Sequence, residues 1–448
     1  MKTNTHSHTV KRIGKWGIIK LLMPLLTNPL PSLLKLARKK GRVLLFDAGK
    51  YHRMYYVADY SLTKFLLVDQ KEWVHRPPVI KPLEPLLGNG IFISMKPEWL
   101  KQHNLLKPAF YEAQLKAYFG GVRIQTKIFT SKLIENAKVD TQELSQKLML
   151  NILIKTQFAS TLNLDTSKLR AAHTAIIHAT SIQAEKLSAF SKAVGRAFGY
   201  RRTQLKWQKD LEVVHQFADE IYVHVAQHPE QGGFIMQAMV ASKSSQAEIR
   251  DMITNLIFAG YDTTASALSW LLYNLASNPQ LQEDIYQEVY SEKAFQYADI
   301  TGFLKTKAIV EESLRLHPPV WAMLRKSTKA MEWKGYSFPK DSYFLIDVFG
   351  LHHDERIWKT PEKFLGDRFL AENKKGKTFS YMPFGYGSRM CIGKPMALTE
   401  LIIVISEVVR SCTLKTASYI KPIIVAGTIT KSKNGLPIDY EPRTNKSV

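Results

Sequence analysis

The sequence predicts a mainly α protein with a minor β part, on three observations. Apolar residues recur at helical spacing through most of the middle of the chain, over about 61–316. β-Branched and aromatic runs bounded by turn residues fall in two places, near the start and around 336–348. No repeat, low-complexity tract or long linker divides the 448 residues. Length allows one large domain or two to three ordinary ones. The unbroken composition favours a single domain, 31–448, behind a basic lead-in, 1–30.

The elements follow in order. Positions 1–46 hold no acidic residue but include Lys11, Arg12, Lys15, Lys20, Lys35, Arg38, Lys39, Lys40 and Arg42. The apolar run 16–26 is broken by Lys20 and Pro24, far short of the ~20 residues a bilayer span needs. It also lacks a signal-peptide core followed by a small-residue cleavage site. The segment therefore reads as a lead-in packed on the domain edge or as a short interfacial helix, with no transmembrane anchor. The expected location is cytoplasmic, with peripheral contact at a membrane surface as the open alternative.

Strands are expected at 42–46 and, after the Asp47-Ala48-Gly49 turn signal, at 51–57. Long helices are expected at 99–119, 141–158, 205–227 and 248–276. Strands return at 336–338 and 343–348. A Pro- and Gly-punctuated stretch then leads to Gly393 and a last helix, 394–409.

With 45% hydrophobic and 23% charged residues, disordered and fibrous classes are excluded. Cys391 and Cys412 are too few for a disulfide framework or a Cys-rich zinc site. Lys and Arg outnumber Asp and Glu by 62 to 39, a net charge of +23. Such a molecule attracts acidic partners or anionic surfaces. No nucleic-acid-binding module accompanies the charge, so nucleic acid is not an expected partner.

The strongest local signal is Pro383-Phe384-Gly385-Tyr386-Gly387-Ser388-Arg389-Met390-Cys391-Ile392-Gly393. Its glycines let a backbone bend tightly and approach a flat ligand. The helix that follows aims free N–H groups and its positive dipole end at the sulfur, which is expected to lower the thiol pKa. A thiolate can bind a metal. Phe384 can cover the sulfur, and Arg389 suits a carboxylate on the ligand. A buried structural thiol in a glycine-rich turn is the plainer alternative. Cys412 reads as a small core residue.

Two further patterns carry information. In the apolar stretch 253–272, Gly260 and the run Asp262-Thr263-Thr264 interrupt the hydrophobic pattern. They suit a functional helix face, a solvent-facing polar stripe, or an N-cap at Asp262. Glu312 and Arg315 lie three apart on one helix face, just before His317-Pro318-Pro319 ends the helix. An exposed salt bridge is the plain alternative there.

Taken together, these segments resemble the cytochrome P450 family. Phe-x-x-Gly-x-Arg-x-Cys-x-Gly at 384–393 is similar to its heme-binding signature. Ala259-Gly260-Tyr261-Asp262-Thr263-Thr264 resembles its oxygen-activating motif. Glu312-Ser313-Leu314-Arg315 resembles its Glu-x-x-Arg motif, and Gly366-Asp367-Arg368-Phe369 the segment that completes that ion-pair network. Trp99 with His103 resembles the early helix that touches the heme propionates. The resemblance covers roughly 31–437. Two departures are His103 where many members carry Arg, and Gly366 in place of a common proline.

The resemblance implies a triangular fold with a long central helix over heme b. Cys391 would be the axial ligand of the heme iron, in a loop shaped by Phe384, Gly385 and Gly393. Ala259 and Gly260 would lie over the heme, with Gly260 leaving room for dioxygen and permitting a local bulge. Thr263 and Asp262 would be catalytic, delivering protons during oxygen activation. Trp99, His103, Arg325 and Arg389 would hold the propionates. Glu312, Arg315 and Arg368 would be structural. The stretches 318–324, 77–92 and 181–205 would line the substrate cavity.

No flavin or iron–sulfur motif appears, so electrons from NAD(P)H would arrive through a separate redox partner. Lys374, Lys375, Lys377 and Lys394 would suit an acidic ferredoxin- or flavodoxin-type donor. The expected function is a monooxygenase that hydroxylates a lipophilic substrate (a fatty acid, terpenoid or steroid-like molecule) with O2. The alternatives are a peroxide-using or O2-independent heme-thiolate enzyme and a non-catalytic heme- or lipid-binding sensor.

Overall fold

A computed structural model describes residues 10–47, 53–77, 83–135, 138–159, 161, 200–290, 295–370, 379–417 and 421–443. Its organising element is the helix Gln246–Ala276. At 1.5 Å per residue this helix is about 46 Å long. Ser245 and Glu248 start it with a reciprocal capping box, each side chain bonding the other's backbone amide. Most of its side chains from Ile249 onward are buried. It packs against Thr141–Leu153, Tyr200–Gln227, Leu304–Leu316 and Lys394–Ser411. An apolar run of this length can bury nearly all its faces only by passing through the middle of a helical layer.

The largest sheet has six strands, in the spatial order Lys11–Ile13, Val43–Asp47, Arg53–Val57, Tyr343–Asp347, Ala322–Ser327, Val74–His75; one three-stranded and two two-stranded sheets complete the described β part. Arg53–Val57 pairs in parallel with Tyr343–Asp347, joining the start of the chain to its last third. The sheet thereby brings the segment after Val74–His75 beside the strand Ala322–Ser327.

Several expected boundaries move. The helix foreseen at 99–119 is two helices, Glu98–Leu106 and Glu112–Glu135, separated by the 3-10 turn Lys107–Phe110. Pro108 has no N–H to continue the helical ladder, and Tyr111 turns extended. The helix foreseen at 141–158 loosens into a π turn over Ile154–Phe158. The early strands run Val43–Asp47 and Arg53–Val57.

The lead-in forms the helix Lys15–Thr27. Ile13, Ile18 and Leu21 pack against Leu33, Leu36 and Phe46 on the sheet edge, while Trp16 is 78% and Ile19 56% exposed. One face of this helix packs, and the other offers aromatic and aliphatic surface beside Lys15 and Lys20. Among the described residues no helix is long and apolar enough to cross a membrane.

Candidate functional site

The cysteine loop is built on tight backbone contacts. The Gly385 amide donates to the Met382 carbonyl at 3.0 Å and the Cys391 amide to that of Phe384 at 2.9 Å, closing the loop on itself. Gly387 has φ +78, and a Cβ there would lie 2.2 Å from the Leu67 carbonyl oxygen, so no other residue fits without moving the backbone. Gly385, at φ +71, lies against Met323 of the strand Ala322–Ser327. Gly393 approaches the Cys391 sulfur, which a Cβ at that position would meet at 3.8 Å.

Cys391 is exposed yet strongly desolvated by surrounding protein, as a group on the floor of a deep cleft would be. The expected lowering of its pKa is not the net outcome. Burial pushes the thiol up, and the amides of Gly393 and Lys394 with the charges of Lys394 and Arg76 offset this only in part. The helix start acts in the foreseen direction, but burial is the larger effect.

Around the same cleft stand three guanidiniums. Arg325 is pushed down to about 9 by burial, then by the neighbouring charges of Arg76 and Arg389. Arg76 and Arg389 are each lowered to about 10, burial again being the first cause. Among the described residues no ion pair joins any of the three to a carboxylate. Arg389 donates one bond to the Ser94 carbonyl at 3.0 Å and stacks 4.1 Å over Trp99. Trp99 in turn lies 4.9 Å from His103. Among the described residues Arg325 bonds only its own strand, at the Leu324 carbonyl and the Met323 sulfur. Arg76 lies 4.6 Å over Phe92. The Nη1 atoms of Arg76 and Arg389 are buried without a hydrogen-bond partner.

Three desolvated cations with two orphaned donor atoms form a receptor for a dianion. The Cys391 thiol near Arg76, the rings of Trp99 and Phe92 and the three guanidiniums fit a heme with its two propionates. Trp99, His103, Arg325 and Arg389 are all brought together here. Arg76 was missed by sequence reasoning. Only the Pro77-Pro78 that follows marks its position, and its partners are distant in sequence.

Behind the loop lies a second charged group of opposite character. Glu312 and Arg315 are fully buried. Arg315 Nε donates to Glu312 Oε2 at 2.7 Å and Nη2 to Oε1 at 2.9 Å. Arg368 Nε and the Leu365 amide add bonds of 2.9 and 3.0 Å to Oε1. Arg315 Nη1 donates to the carbonyls of His352 and Pro361. The exposed-pair alternative is therefore excluded.

On the central helix, the polar run does not start a new helix. The element is continuous through Gly260. A Cβ at Gly260 would meet Leu153 of the neighbouring helix at an ordinary 3.6 Å. Thr263 donates to the Ala259 carbonyl at 2.7 Å. Asp262 points to a cleft lined by Gln142, Gln146, Ser266, Ser269 and Lys431. Gln146 and Lys431 donate to its Oδ1 at 2.8 and 3.3 Å. Neither partner was foreseen. Phe258, one residue before Ala259, packs edge-on against Phe92 at 5.2 Å, linking this helix to the Arg76 side of the cleft.

The foreseen cavity-lining stretches are only partly described: 78–82 and 181–199 lie outside the described residues, as do Lys374, Lys375 and Lys377.

The cytochrome P450 family model matches residues 14–435. Cytochrome P450 4F3 of Rattus norvegicus is 30% identical over 357 residues, 72% of this chain and 68% of the relative. Cyclooctatin synthase of Streptomyces melanosporofaciens is 28% identical, covering 78% of each. Taurochenodeoxycholic 6 alpha-hydroxylase of Sus scrofa is 25% identical, over 81% of this chain and 77% of that one. The chain belongs to the cytochrome P450 family, and is a heme-thiolate monooxygenase that uses heme b, O2 and electrons from NAD(P)H passed through a redox partner.

Proposed function

We propose that the chain hydroxylates a fatty-acid, terpenoid or steroid-like substrate, with Cys391 as the axial ligand of the heme iron. The observation that carries this reading is the pairing of one desolvated sulfur at a helix start with three carboxylate-free guanidiniums around the same cleft. Heme, when bound, supplies the oxygen-activating iron. Arg76, Arg325 and Arg389 would hold the propionates, with His103 and Trp99 beside them. Phe384 excludes water from the sulfur side. Thr263 gives up its bond to the Ala259 carbonyl to donate into the site. Asp262, whose side chain is 17% exposed in its cleft, would return the proton to Thr263. Glu312, Arg315 and Arg368 keep the loop in place and take no part in proton transfer.

The substrate class rests on relatives named for leukotriene B4, cyclooctatin and taurochenodeoxycholic acid. For the electron donor we infer an acidic protein of ferredoxin or flavodoxin type. Exposed Lys394 and the exposed Lys116 and Lys127 on Glu112–Glu135, which packs on the helix after the cysteine loop, support it. The exposed Trp16 and Ile19 beside Lys15 and Lys20 support a peripheral contact with an anionic membrane surface.

The test is turnover by hemin-loaded protein with NADPH, a ferredoxin reductase and a ferredoxin, over a panel of these lipids. A hydroxylated product is expected. In Thr263→Ala, heme content should be unchanged while most electrons go to hydrogen peroxide. A heme-loaded protein that reduces normally yet yields no product from any of these substrates contradicts the reading.

A further inference from the structure

His352 is fully buried, at the end of the short helix Val348–His352. Its two ring nitrogens face groups of opposite kind. Nδ1 lies 3.0 Å from the Arg315 carbonyl, which can only accept. Nε2 lies 2.9 Å from the Met382 amide, which can only donate. Only the neutral ring with its proton on Nδ1 satisfies both. Burial and the nearby Arg315 charge hold the imidazole neutral, well below its ordinary value. The Arg315 guanidinium also reaches back to the His352 carbonyl at 2.8 Å. Residues 315 and 352 are therefore joined twice, and the Tyr381 ring stacks on the imidazole at 5.5 Å.

Met382 opens the cysteine loop: its carbonyl takes the Gly385 amide, and the next turn closes when the Cys391 amide bonds Phe384. The Met382–His352 bond links the Glu312–Arg315–Arg368 group directly to the backbone of the loop entrance, beside the Tyr381 hydroxyl, which donates to the Glu311 carbonyl at 3.1 Å one residue earlier. The geometry points to His352 as a positioning residue that transmits the placement of the buried ion-pair group to the cysteine loop, and so sets where the Cys391 sulfur stands. The inference rests on the reading of Cys391 as the thiolate ligand.

The test compares His352→Phe, His352→Gln and His353→Phe. Phe keeps the ring and its stack on Tyr381 but can neither donate to Arg315 nor accept from Met382. The Gln side-chain oxygen can still accept from Met382. His353 is a control, being also buried but, among the described residues, bonding through its ring only the Phe349 carbonyl of its own turn. Amide exchange over 382–385, read in heme-free protein, should rise about tenfold or more in His352→Phe. In the reduced carbon monoxide complex of the loaded protein, that variant should pass from a thiolate-type to a thiol-type band. His352→Gln should restore both readouts toward the wild type, and His353→Phe should move neither. Unchanged exchange and band in His352→Phe, or equal shifts in His352→Phe and His353→Phe, overturns the assignment. If His352→Phe does not fold, the Gln variant decides: exchange at 382–385 as fast as in unfolded chain overturns it. A wild-type protein with no thiolate-type band would count against the ligand reading of Cys391, while the exchange measurement would still judge His352.

Discussion

Two buried charged groups flank the cysteine loop, and they differ in what neutralises them. Behind the loop, Glu312 is bonded by Arg315, Arg368 and the Leu365 amide, and Arg315 is further held by backbone carbonyls. In the cleft, Arg76, Arg325 and Arg389 have no carboxylate among the described residues, and two of their nitrogens lack any bond. The first group is complete within the chain and acts as scaffold. The second is incomplete without an anion and acts as a receptor. Burial alone does not separate structural from ligand-binding charge; internal pairing does.

The largest expected effect attacks the paired group. Glu312→Gln leaves Arg315 and Arg368 uncompensated, and should cost about 3–5 kcal/mol of stability with or without heme, read by chemical denaturation. Arg325→Met removes a charge from the unpaired group and should show the opposite pattern. The heme-free protein should be as stable as wild type or more so, while heme transfer to apomyoglobin should quicken about tenfold. A loss of heme-free stability as large as that of Glu312→Gln would erase the distinction between the two groups.

Acid provides a smaller, graded probe of the paired side. His352 is held well below the ordinary 6.5 and His353 at about 3, burial being the main cause in both. Their folded pKa values are depressed, so the unfolded chain takes up protons first. Stability is full above pH 6.5 and falls as pH drops below it, by about 1.4 kcal/mol per pH unit for each histidine. His317, also held well below its ordinary value by burial, adds a third histidine, while Asp347, raised to about 6, and Glu400, raised to about 8, bind their protons first in the folded state and offset two of the three down to about pH 4.5. A net loss of about 1.4 kcal/mol per unit is therefore expected from these groups between pH 5.5 and 4.5, measured by urea unfolding. A flat profile over that range would mean the imidazoles are not neutral in the fold.

Much of the site was legible because local spacing carries it. The glycines around Cys391 mark a turn that only they can make, and the separation of Glu312 from Arg315 sets both on one helix face. The division of fold into helices and sheet edge followed from periodicity. What escaped depends on contacts between distant segments. Arg76 joins the guanidinium cluster because the strand just before it, Val74–His75, pairs with Ala322–Ser327. His352 gains its role from a carbonyl at Arg315 and an amide at Met382, neither of which a sequence pattern displays. Lys431 meets Asp262 across 169 positions. The direction of the Cys391 shift was misjudged because a helix start is visible in sequence, whereas the depth of the cleft is not.

The central claim is that the Cys391 sulfur ligates the heme iron beneath the guanidinium receptor. Its most direct test is the carbon monoxide difference spectrum of the reduced, hemin-loaded wild type beside Cys391→Ala. A thiolate-type band in the wild type that vanishes in the variant is the predicted result. The same band persisting in Cys391→Ala would contradict the account.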